Sequence, residues 1–169
     1  MNFLFYISAF IAVAATGMVI TRTNAVHALL YLIVSLLAVA LIFFTLGAPF
    51  IAALEVIVYA GAIMVLFIFA IMMLNLSSAT VQQEQGLLAP GIWRGPALLC
   101  LVLAGELAYF LTAEHERLSR MDLVPPKQVG IALFGPYVLG VELASMLLLA
   151  GLVGAYHLGR QEDETKGER

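Results

Sequence analysis

Glu55 and Tyr59 stand four residues apart in "ALEVIVYAGAIMVLFIFAIMMLN" (Ala53–Asn75), where nearly every other residue is apolar. In an α-helix, residues four apart project from one face and can share a partner or a water. A carboxylate and a phenol so placed can relay a proton or fasten the helix to a neighbour. Charges inside a membrane span are costly and usually face a protein interior or a water-filled path. Glu55 lies about 8 Å from the edge of its span at about 1.5 Å per residue. Tyr59 lies near the midplane, where a phenol needs a hydrogen-bond partner. Directly after it come Ala60, Gly61 and Ala62, small residues that admit a neighbouring helix and weaken helical order. Two outcomes stay open: close packing alone, or a π-bulge, the one-residue insertion that often marks functional sites.

Two further carboxylates, Glu106 and Glu142, sit inside apolar stretches. With alternating spans, they and Glu55 fall at similar depth toward one side, as a polar cluster or as separate groups meeting partner subunits. Gly, Ala and Ser surround Glu106 and Glu142, which favours partner-facing roles for both. His27 and His157 lie near span ends; a haem held between them is disfavoured against ordinary interfacial histidines. "GLVG" (Gly151–Gly154) reads as packing, and most tyrosines as interfacial belts. The lone Cys100 excludes a disulfide framework, and no nucleotide loop, nucleophile elbow or metal-ligand cluster is present. Catalysis by this chain alone is not expected.

The elements that must position these groups are membrane helices. Of 169 residues, 63% are hydrophobic and 11% charged, with a mean hydropathy of +1.03. A soluble domain carries about 25% charged residues, so this chain cannot cover a water-facing surface. The net charge of −3 comes largely from the tail "QEDETKGER", and no basic nucleic-acid surface exists. About 20 apolar residues cross a ~30 Å hydrocarbon core. Five segments qualify: 2–20, 27–46, 50–75, 93–112 and 136–158. The sequence therefore predicts an all-α integral membrane protein, one membrane domain over 1–169 with a polar tail at 159–169. The first segment has no basic leader and reads as a retained span.

"TRTNAV" and "GAP" are short links; "LSSATVQQEQGLLAPGI" and "AEHERLSRMDLVPPKQ" are longer and loop-like. "VGIALFG" reads as an interfacial lead-in, with Pro136 near the start of the fifth helix. Arg22, Arg94, Arg160, Lys166 and Arg169 fall on one side, Arg117, Arg120 and Lys127 on the other. Five against three predicts a periplasmic N-terminus and a cytoplasmic C-terminus.

"TNAVHALLYLIVSLL" (Thr23–Leu37), the Ala53–Asn75 stretch and "LFGPYVLGVELASMLLLAGLVGAYHLGR" (Leu133–Arg160) together resemble the J-subunit family of bacterial respiratory complex I. The likeness covers most of the chain, except Leu76–Gly91, Ala113–Lys127 and the tail; Glu106 belongs to none of the shared motifs. The resemblance implies an inner-membrane subunit of a proton-translocating NADH:quinone oxidoreductase that uses NADH, FMN, iron–sulfur clusters and quinone, none bound by this chain. It implies packing near the quinone-binding H subunit, beside the small A and K subunits and toward the antiporter-like N subunit. It also implies a π-bulge around Tyr59–Gly61 in the third helix, with rotation to a regular α-helix accompanying a change of enzyme state.

From this follows an expected gate. Turning the half-helix after Tyr59 would exchange Tyr59 and Gly61 for Val65, Leu66 or Phe67 along a water path, wetting or drying it. Glu55 would relay a proton or pin the helix. The rivals are a passive scaffold of the same complex, a subunit of a related cation/proton antiporter complex, and a self-contained channel.

Overall fold

The structure is a computed structural model that describes residues 2–22, 25–74, 90–113 and 123–159. Asn75, both longer links over 76–89 and 114–122, and the tail from Arg160 lie outside the described residues, as do most of the cations used for orientation.

The described residues form helices α1 (Asn2–Thr21), α2 (Ala25–Thr45), α3 (Pro49–Leu54), a π-helical segment (Glu55–Ile63), α4 (Met64–Leu74), α5 (Pro90–Ala113), α6 (Pro126–Phe134) and α7 (Val138–Gly159). With α3, the π segment and α4 counted as one rod, five helices are long and apolar enough to cross a membrane. The chain divides into two compact units, Met1–Val124 and Pro125–Arg169.

In the first unit α1 and α2 pack along their lengths, with α5 against both. The core joins Ile11, Ala12 and Ala15 of α1 to Val34 and Ala38 of α2 and Leu103 of α5. Lipid is as apolar as leucine, so burial from water does not drive this contact; close approach and interhelical hydrogen bonds do. The alanines supply the approach. The Ser35 hydroxyl donates to the Ala12 carbonyl at 3.1 Å and pairs with the Thr16 hydroxyl at 2.9 Å.

A Schellman turn joins α2 to α3. Gly47 adopts φ 81°, its N–H donates to the Phe44 carbonyl, and the Ala48 N–H donates to that of Phe43 at 3.0 Å. Pro49 then opens α3, where its missing N–H is harmless. The "GAP" link is thus a cap and a start signal in three residues.

At the other end of α2, Tyr31 is buried, its ring beneath the Arg22 guanidinium (5.5 Å) and beside the His27 ring (5.2 Å). Its hydroxyl lies against Gly95 of α5, where a Cβ would overlap it. Pro96 follows inside α5, buried, and removes one helical N–H there.

In the second unit α6 packs against α7. The expected lead-in is a helix of its own, beginning at Pro126, so the preceding link is shorter than the sequence suggested. The Pro125–Pro126 pair reads as loop, yet Pro126 occupies the tolerated first helical position. A turn at Gly135 separates the helices; a Cβ there would stand 2.7 Å from the Ile131 carbonyl, so only glycine fits. Along α7 all residues but Val141 are exposed.

The Tyr31–Gly95 contact makes a testable pair. Gly95→Ala overpacks the α2–α5 contact and should cost about 1–3 kcal/mol. A lowered thermal midpoint of the solubilised complex would register this, and adding Tyr31→Phe should recover part of the loss.

Candidate functional site

The third span passes from α3 into nine residues of π-helix, "EVIVYAGAI", and back into α4 without a break in its backbone bonding. At the entry the Glu55 N–H donates to the carbonyls of Ala52 and Ile51, an ordinary helical pattern. At the exit the Met64 N–H donates to the carbonyls of Gly61 and Tyr59, the latter five residues back as π winding requires. The expected bulge around Tyr59–Gly61 is present and reaches back to Glu55.

Gly61 sits where the wide turn crowds its own backbone. A Cβ at this position would stand 3.2 Å from the Val56 carbonyl, five residues back. Such a contact is tight enough that the neighbouring turn must give. Glycine lets the wide ring close on itself.

The segment packs on α2. Its anchor is Met64, 2% exposed at the first residue after the π winding. Tyr59 is 50% exposed and Glu55 half-buried, while Val65, Leu66 and Phe67 stand exposed on α4. The gate candidates thus present surface beyond this chain rather than filling its core. Beside the segment lies an apolar cavity of about 410 Å³ between α2, α3 and α5, lined among others by Leu37, Phe44, Ala52, Val56, Leu103 and Leu107.

Within the first unit Glu55 and Glu106 have different surroundings. Glu55 begins the π segment on α2. Glu106 turns to α1, where the Ser8 hydroxyl donates to its Oε2 at 2.9 Å, and it is only 9% exposed. Glu142 is exposed on α7 in the second unit, with its backbone carbonyl accepting from Ser145 at 2.7 Å. Ser8 carried no signal in the sequence: a single serine in an apolar run looks like filler until the opposing helix supplies a carboxylate.

Among the described residues no group of three or more His, Cys, Asp or Glu could hold a metal ion, and Cys100 is a lone thiol.

Fold and site together define a polytopic, all-helical membrane protein whose polar irregularity lies within one span. Residues 15–158 match the sequence profile of NADH-ubiquinone/plastoquinone oxidoreductase chain 6. The chain is 61% identical to NADH-quinone oxidoreductase subunit J of Pseudomonas aeruginosa over 163 residues, covering 96% of this chain and 98% of that one. It is 56% identical to the subunit J of Escherichia coli K12 over 162 residues (96% and 88% covered), and 47% identical to that of Buchnera aphidicola from Acyrthosiphon pisum over 168 (99% of both). The chain belongs to the J-subunit family of NADH-quinone oxidoreductase, and is a membrane subunit of that enzyme complex.

Met64→Ala should remove the anchor at the π–α junction and cost about 2 kcal/mol or more, whereas volume-conserving Met64→Leu should cost less than about 1.5 kcal/mol. Thermal denaturation of the solubilised complex, compared between the two variants, checks this.

Proposed function

We propose that this subunit couples quinone reduction to proton translocation through its third span, with the π segment as a conformational gate on a water path. The nine-residue π segment carries this reading: Glu55, Tyr59 and Gly61 all fall inside the one stretch that departs from α winding. An α-helix advances 3.6 residues per turn, so losing one residue's extra winding turns everything beyond by roughly 100°. That rotation would swing Val65, Leu66 and Phe67 toward the positions that Tyr59 and Gly61 line. A bulky apolar constriction dewets and blocks; a phenol beside a glycine leaves room for water. The neighbouring cavity gives the segment space to move on its α2–α5 side.

Glu55, at the start of the segment, relays a proton or pins the helix to a partner. Glu142, exposed on α7, is assigned to a contact with another subunit, as helices with intramembrane carboxylates require. The partners in this reading are the H, A, K and N subunits, with the path leading toward carboxylates of K. NADH, FMN, the iron–sulfur clusters and quinone sit on other subunits, and this chain performs no redox step itself. The membrane is the bacterial inner membrane, with the N-terminus periplasmic and the C-terminus cytoplasmic.

Gly61→Val places a branched side chain against the Val56 carbonyl and hinders interconversion of the two windings. The expected result is intact complex with NADH:quinone turnover and proton pumping both reduced severalfold, while Tyr59→Phe lowers pumping more mildly. Assembled Gly61→Val complex that pumps at the wild-type rate would make the third span a scaffold.

Orientation is checked separately with Arg22→Cys in a Cys100→Ser background. A membrane-impermeant thiol reagent should label it in inside-out vesicles and leave it unlabelled in right-side-out ones.

A further inference from the structure

We propose that Ser8 and Glu106 form a proton-holding site inside the α1–α5 contact, independent of the third-span gate. Both helices bury a regular stripe. On α1 it runs through Leu4, Ser8, Ile11, Ala12 and Ala15; on α5 it runs through Leu103, Glu106 and Phe110. At spacings of three and four these positions form one face of each helix. Each stripe is apolar apart from one member, and the two exceptions meet each other.

The hydrogen bonds are unevenly divided. Ser8, 1% exposed, donates its hydroxyl to Oε2 at 2.9 Å. Oε1 is buried as well, and it has no hydrogen-bond partner among the described residues. An ionised carboxylate in apolar surroundings loses its hydration and needs compensation at both oxygens, and here compensation reaches only one. A proton bound at Oε1 removes the charge that is the costly part of this burial. The carboxylate takes one proton from water, an Oε1–H bond forms, the negative charge disappears, and Oε2 becomes the carbonyl oxygen that accepts from Ser8. Packing alone does not call for this pair. A serine facing an alanine or leucine would fill the same stripes, and serine can satisfy its own hydroxyl on the preceding turn. A carboxyl adds what an apolar residue lacks, a group that takes up and releases a proton within the span.

The test is infrared spectroscopy of the assembled complex carrying wild-type chain, Glu106→Gln or Ser8→Ala. Wild type minus Glu106→Gln should show the carbonyl stretch of a neutral carboxylic acid, moving to lower frequency in D₂O. In Ser8→Ala that band should persist and move to higher frequency, because its carbonyl has lost a donor. Carboxylate stretches in place of the carbonyl band would overturn the proposal. So would a carbonyl band indifferent to Ser8→Ala, since the neutral acid would then lie elsewhere. Should Glu106→Gln fail to assemble, wild type minus Ser8→Ala decides alone: a paired shift supports the site and a flat carbonyl region refutes it.

Discussion

A peptide N–H or C=O in the hydrocarbon core has no water to bond with, and leaving one unpaired costs several kcal/mol. This constraint governs the whole chain. It explains why each candidate span is helical, and why links made only of turn residues occur at span ends, as at Gly47–Pro49. It also limits the form an irregularity can take. A soluble helix can open and let water in. A span that must depart from α winding keeps its ladder by moving each bond one residue further back, as the Met64 N–H does when it reaches the Tyr59 carbonyl. The π segment is a departure from regularity compatible with lipid, and Gly61 is the residue that lets its wide turn close.

The same constraint sorts the polar side chains into two sets. Ser8, Ser35 and Glu106 turn inward, with Thr16 joining Ser35 from the rim, and they bond across α1, α2 and α5, where hydrogen bonds and close approach replace burial from water as the cohesive force. Glu55 and Tyr59 stand outside that network, on the irregular part of the third span and open to surroundings beyond the chain. Exposed polar groups on a membrane span leave room for contacts with other subunits, in keeping with membership of a multisubunit enzyme family. Glu142 on α7 follows the same pattern in the second unit.

Much of this was legible in the sequence, for reasons that differ by residue. Five spans follow from hydropathy, because length and apolarity are what a bilayer selects. The irregular third span was signalled by Ala60, Gly61 and Ala62 behind a mid-depth tyrosine, although composition alone left packing equally open; its extent back to Glu55 was not visible. The inward direction of Glu106 was not visible either. In a span apolar on every face, no hydrophobic stripe reports which side is buried, so the small residues around Glu106 pointed to a partner subunit rather than to α1. Only the opposing Ser8 fixes the inward direction. Helix α6 was obscured because a Pro-Pro pair signals loop and helix start alike.

For a gate, the relevant property of the π segment is that both windings satisfy the backbone. Converting one to the other trades five-back bonds for four-back bonds with little net change in their number, so the difference rests on side-chain packing and on what touches the exposed face. Met64, deeply buried, and Val65 to Phe67, exposed, therefore differ: the first ties the junction to this chain, and the others present an apolar face away from its core. Ligands or partners shift such an equilibrium only by the difference in their affinity for its two states. In the proposed gate that difference would have to come from whatever touches the exposed face of the third span, since α1, α2 and α5 are joined to one another through the buried core.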